Sequence, residues 1–250
     1  MDNLLVLSGY QIKLLLRNVK SVILGFTLPI AMFFIFSNLL SGYTVDGQMA
    51  LTNLLVPAYI PIIIVNGVMV IFGQNFIVYK EQGNLLKFKL LGISGLTVSA
   101  SLYIATFIFQ LVASLLLVVF ASVLKNISIP FENVPNVIIV FLIINMYQFA
   151  ITYFLTAFIN KSVTYQSVSL LIFYFQIFLG GLTFPPEMFP TFLKNLVYLF
   201  NPIIYGLTMM RGVWSTNDSV LDYPKEIMIL VGVSIVLITL GMAIQKKLKK

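Results

Sequence analysis

The chain contains no cysteine, no histidine and little charge. Without cysteine there is no disulfide framework, no thiol nucleophile and no cysteine-held metal or cluster. Without histidine the commonest metal ligand and the commonest general base at neutral pH are gone. Intramembrane proteases that pair a serine or a metal with histidine are thereby excluded. Charged residues make up 9% of the 250, where a soluble domain carries about 25%. The phosphate-binding patterns GxxxxGK[ST] and GxGxxG are missing as well.

What is present is apolar. Hydrophobic residues make up 60% of the chain, and the mean hydropathy is +1.02. Neither a soluble globule nor a disordered chain has that composition. Crossing a bilayer takes about 20 apolar residues, and a charge in mid-membrane is costly. Windows free of Asp, Glu, Lys and Arg predict spans over 21–41, 51–74, 97–121, 137–159, 165–184 and 227–245. The expected fold class is an all-α integral membrane protein with six transmembrane helices in a single domain covering residues 1–250. Residues 195–210 are also free of charge, but Asn201-Pro202 interrupts them. Proline lacks the N–H and clashes with the preceding turn.

The net charge is +7, and its placement sets the expected orientation. Six spans put Lys13, Arg17, Lys20, Lys80, Lys87, Lys89, Lys161 and the lysines at 246, 247, 249 and 250 on one side. Lys125, Lys194, Arg211 and Lys225 fall on the other. The positive-inside rule then places both termini in the cytoplasm. Residues 187–213 are expected as short outer-face helices between the fifth and sixth spans, broken at Asn201-Pro202. Cations so placed serve the lipid headgroups, and no nucleic acid partner is expected. Asp2 and the lack of a small-residue cleavage site argue against a cleaved leader. Abundant Lys, Asn, Ile and Phe fit an AT-rich bacterial genome, hence a bacterial cytoplasmic membrane.

Two segments flank the spans on the predicted inner side. In residues 2–20, Lys13, Arg17 and Lys20 fall on one narrow helical face, with Leu5, Ile12, Leu16 and Val19 beside it. That pattern predicts an amphipathic helix in the interface. It serves either as an anchor or as a partner contact. Residues 80–95 (KEQGNLLKFKLLGISG) mix charge with Leu and Phe. They rest on headgroups or are covered by a protein partner.

No predicted span carries an ionisable residue in its middle. This argues against an ion-coupled carrier, a charge-ring channel and a voltage sensor. Uncharged polar residues do occur: Asn66, Gln74 and Asn75, then Asn145 and Gln148, then Gln176. Asn145, Gln148 and Thr152 share a helical face. They line a pathway or hydrogen-bond between helices.

Three motifs resemble one family. The basic N-terminal helix and six spans resemble the membrane subunit of an ABC-2 type exporter, of the drug-exporting kind. KEQGNLLKFKLLGIS (80–94) is similar to the family's acidic-Gly-Leu loop, with Glu81, Gly83 and Leu85 in an E-x-G-x-L pattern. FLGGLTFPPEMFPTFLKNLVYLFNPIIYGLTMMRG (178–212) is similar to the signature between the last two spans, with Gly180, Gly181, Pro185, Pro190, Asn201, Pro202 and Arg211. The chain departs from the family in having Gly92-Ile93-Ser94 where Thr-Pro or Ser-Pro is frequent, and Lys87 where Arg is common.

The resemblance implies a permease that is not itself an enzyme and binds no cofactor directly. ATP and Mg would sit on a separate ATP-binding subunit, and a second permease copy would complete the assembly. The loop 80–94 would be the coupling helix, offering Lys80, Glu81, Gly83, Leu85, Leu86, Lys87 and Phe88 to the ATPase. Residues 187–213 would form the outer gate. The cargo would be a drug, lipid or peptide, and Asn66, Asn145, Gln148 and Gln176 are the candidate pathway residues. The alternative function is a membrane scaffold or sensor subunit, or a channel without an ATPase.

Overall fold

Each long charge-free run becomes a helix because lipid leaves no other way to satisfy the backbone. The computed structural model describes residues 2–18, 27–39, 44–45, 49–181 and 189–248. In chain order the helices are α1 (Asp2–Arg17), α2 (Leu28–Leu39), α3 (Leu55–Glu81), α4 (Asn84–Leu90) and α5 (Gly95–Lys125). There follow α6 (Val134–Phe158), α7 (Ser162–Leu179), α8 (Thr191–Phe200), α9 (Ile203–Arg211) and α10 (Pro224–Leu248). One short antiparallel pairing joins Thr44–Val45 to Met49–Ala50.

The helices α3, α5, α6, α7 and α10 are long and apolar enough to span a membrane. They correspond to the second to sixth predicted spans. The first predicted span is described only in part. Its Leu28–Leu39 portion is a 12-residue helix, ~18 Å long at 1.5 Å per residue. The rest lies outside the described residues. Within α2, buried Phe33 meets Tyr59 of α3 edge-on, with ring centres 5.9 Å apart.

The central element is α3. Its apolar window is 83% buried, against 17% for α10 on the periphery. The sequence predicts this span to end at 74, but the helix runs on to Glu81, because the charges that end the apolar run have helix-end partners. Midway, Asn66–Phe72 winds as a π-helix. Such wide turns displace carbonyls from their usual partners. Two neighbouring helices supply donors. Gln110 of α5 donates to the Ile64 carbonyl at 3.4 Å, and the Tyr165 hydroxyl of α7 donates to the Met69 carbonyl at 2.8 Å. Glycine admits both: a Cβ at Gly73 would lie 1.8 Å from the Tyr165 hydroxyl, and one at Gly67 would lie 2.3 Å from the Gln110 amide.

The segment after α7 is interrupted as its sequence suggests. The helices α8 and α9 do break at Asn201-Pro202, with a bend of 101° between Thr191–Phe200 and Ile203–Thr216. The first arm exposes Phe192, Leu199 and Phe200. The second arm packs inside the bundle. Ile203, Ile204, Leu207, Met209 and Met210 are buried, and α9 packs among α3, α6 and α10. Gly206 lets it approach Ile144, near the middle of α6. Its residues are uncharged and mostly apolar up to Arg211, so burial between spans is favourable for it.

Candidate functional site

The turn from α3 into α4 begins with two adjacent residues of opposite charge. Lys80 Nζ donates to the carbonyls of Thr156 at 2.8 Å and Ile159 at 3.4 Å, at the C-terminal end of α6. Glu81 Oε2 accepts the Ser162 backbone N–H at 2.9 Å, at the N-terminal end of α7. Helix C-termini favour cations and N-termini favour anions. Lys80 and Glu81 thus match the two poles that meet across the short Ile159–Lys161 connection. Their polar ends are held by this turn.

Gly83 makes the reversal possible. Its φ is +68°, and it opens α4. Only glycine adopts that conformation without a Cβ penalty. After α4, the Ser94 hydroxyl accepts the Thr97 N–H at 3.0 Å and caps α5. The helix α4 has two faces. Leu85 and Phe88 turn inward, with Phe88 stacked on Tyr79 at 6.2 Å. Leu86, Leu90 and Leu91 point outward, 62%, 81% and 75% exposed, beside exposed Lys87 and Lys89.

The same turn is tied to the N-terminal helix. The Tyr79 hydroxyl donates to Gln11 Oε1 at 3.1 Å. On α1, Leu7, Ser8, Gln11 and Leu15 are buried, and α1 packs along α5. Leu5 and Leu16 remain exposed, as do Lys13 and Arg17. The single apolar stripe expected from sequence is therefore two stripes, and Leu7 belongs to the one that meets the bundle. Val19 and Lys20 lie outside the described residues.

Behind α4 lies a cavity of about 670 Å³, within the roughly 300–1,000 Å³ range of small-molecule sites. Its walls come from the end of α3, the start of α5, the end of α6 and Gln245 of α10. Phe72, Phe76, Phe149 and Tyr153 supply an aromatic floor, and Lys80 is the one charged residue in the lining. The rings continue inward: Phe72 and Phe149 both touch Tyr103, at 5.6 and 5.1 Å, and Tyr103 leads to Phe107 and Phe141. Sequence reasoning missed this cluster. Its signal was the i, i+4 spacing of Phe72/Phe76, Tyr103/Phe107 and Phe149/Tyr153.

Several polar residues of the spans are buried. Gln148 donates to Gln176 Oε1 at 2.7 Å, joining α6 to α7. Asn145 donates to the Phe141 carbonyl at 3.0 Å and accepts from Tyr103 at 3.4 Å. Asn66 is buried in the π-helical segment. Thr152 is buried on the same side of α6 as Gln148. The Gln148–Gln176 and Tyr103–Asn145 bonds join helices to one another, and Gln176 is brought together with Gln148 but not with Asn66.

At the opposite end the outer motif converges in part. Asn201, 1% exposed, donates to the Phe175 carbonyl at 3.2 Å. A Cβ on Gly180 would lie 3.1 Å from the Asn201 amide nitrogen and 2.6 Å from Ile203. Arg211 donates to the Gly181 carbonyl at 3.2 Å. Pro190 precedes α8, and its carbonyl accepts the Lys194 N–H. Pro185 lies outside the described residues. Sequence reasoning also missed Asn133, which donates to the Val213 and Asp218 carbonyls at 2.7 and 2.8 Å and ties α6 to the end of the α9 arm.

The family model for ABC-2 type transporters aligns with residues 2–214. The chain belongs to the ABC-2 type transporter family. It is the transmembrane permease of an ABC transporter, a multi-pass membrane protein without catalysis of its own. No curated protein matches the chain. The match includes both α4 and the α8–α9 break, so both loop motifs of this permease lie within the shared architecture.

Proposed function

We propose that this permease is the membrane subunit of an ATP-driven exporter. A separate ATP-binding subunit carrying ATP and Mg docks on α4, and a second permease copy completes the assembly. The α4 end of the bundle is the cytoplasmic end, with both termini there, in a bacterial cell membrane. The cargo is hydrophobic or amphipathic.

One observation carries this reading. The helix α4 presents Leu86, Leu90 and Leu91 to the outside on a segment held by three connections to the bundle: Lys80 to α6, Glu81 to α7 and Phe88 to Tyr79. Exposed apolar surface on a short rigid helix calls for a protein cover. Force applied there passes directly to the ends of α3, α6 and α7. A ligand shifts a conformational equilibrium only through its differential affinity for two states. ATP acts on the partner, and α4 is where the partner's change of shape reaches the spans. This is consistent with spans that carry no acid at their centres.

The test is gentle solubilisation of native membranes containing a C-terminally tagged chain. Recovery of an ATP-binding subunit, with ATP hydrolysis in the complex, supports the reading. Recovery of the chain alone, under conditions that preserve other membrane complexes, leaves a scaffold, sensor or channel.

A further inference from the structure

We propose that the cavity behind α4 binds a small anionic amphiphile, an apolar body with one negatively charged group. Naming that amphiphile as cargo rests on the exporter reading above. Binding itself does not.

The lining holds one cation, Lys80, and no carboxylate. Lys80 donates to two main-chain carbonyls, and an ammonium has three N–H groups. Glu81 is directed to Ser162, and no carboxylate among the described residues pairs with Lys80. A half-buried cation bound only to neutral oxygens favours an anion over a cation or a neutral ligand. Ser99, Asn160 and Gln245 add hydrogen-bonding groups to the same wall.

The apolar end has its own site. Phe72 and Phe149 stack at 5.8 Å, and Phe76 and Tyr153 flank them. Such faces hold alkyl or aromatic groups. Exposed Ser94, Leu96 and Asn160 form the rim, while Phe72 is buried at the floor. A ligand entering tail first places its head beside Lys80. Leu85 of α4 closes one wall, so the occupant touches the helix proposed to receive the ATPase.

The chain has no cysteine, so Ser99→Cys supplies a unique thiol in the lining. Alkylation by N-ethylmaleimide is measured on the full chain in lipid nanodiscs, with dodecanesulfonate, dodecanol or dodecyltrimethylammonium as probe. Ser167→Cys, on the exposed side of α7, is the control. The expected result is protection at position 99 by the sulfonate, with a preference of about tenfold over dodecanol, equivalent to ~1.4 kcal/mol. Position 167 is unprotected. Adding Lys80→Gln abolishes the preference, and Lys80→Arg keeps it. Equal protection by all three probes, no protection, or equal protection at both positions overturns the proposal. If Lys80→Gln fails to fold, the three-probe comparison on the parent chain still decides. The assay contains no ATPase. Protection without ATP-driven export of the sulfonate in the complex would retain the site and remove its role as cargo entry. An ATPase that co-purifies with a chain showing no protection would leave the exporter reading and remove the site.

Discussion

The ammonium of Lys80 lies 2.8 Å from the carbonyl oxygen of Thr156, at the last turn of α6. Its neighbour Glu81 engages the first turn of α7. One dipeptide therefore fixes the relative position of two spans and the base of α4. Lys80→Met is expected to lower stability by about 1 kcal/mol, the usual size of a charge at a partly buried helix end. Glu81→Gln keeps an acceptor for the Ser162 N–H and should be mild. Glu81→Ala removes it and should reduce ATP-driven transport more than yield. Thermal unfolding in detergent, alongside transport in vesicles, separates these outcomes.

Gly83 is required by conformation alone. A Cβ there meets nothing within 4 Å, yet φ is +68°. Gly83→Val should tilt α4, at a cost of ~1–2 kcal/mol for left-handed backbone, and uncouple ATP hydrolysis from transport. Gly83→Asn, which tolerates this region, should retain most coupling. The check is ATP turnover per transported molecule for each variant.

Gly73 differs, because its constraint is space. A Cβ would fall 1.8 Å from the Tyr165 hydroxyl. Gly73→Ala is expected to force Tyr165 off the Met69 carbonyl and destabilise the chain by about 1–3 kcal/mol, as overpacking does. Combining it with Tyr165→Ala should be less harmful than the sum of the two. A double-mutant cycle on unfolding midpoints measures this.

Gln148 and Gln176 should behave as a pair. Each single alanine variant is expected to lower stability, with a coupling energy near ~0.6 kcal/mol, the mean for hydrogen bonds between membrane helices. Substrate range should change less than yield. A changed range at normal yield would place these side chains on the cargo route.

Much of this architecture is legible in the sequence, for identifiable reasons. Span positions follow from where charge is missing, and the α8–α9 break follows from Asn201-Pro202. The bend itself was expected, but the burial of α9 was not, because its apolar stretch reads the same against lipid and against Ile144. The inward turn of Lys80 was hidden too. A lysine at a span end reads as a headgroup contact until the helix ends beside it are known. Gly67 and Gly73 look like ordinary glycines until Gln110 and Tyr165 arrive from sequence-distant helices. The E-x-G-x-L motif falls on the turn into α4, but only the fold separates inward Leu85 and Phe88 from outward Leu86 and Leu90.

The central claim is that the outward face of α4 meets an ATPase. The direct measurement is photo-crosslinking from p-benzoylphenylalanine at position 90, compared with position 171 on the exposed face of α7. Leu90 and Leu171 are 81% and 72% exposed, so accessibility alone does not distinguish them. The account expects position 90 to crosslink to an ATP-binding subunit and position 171 to lipid or another permease. Crosslinks to that subunit from both positions, or from neither in a complex that hydrolyses ATP, would contradict it.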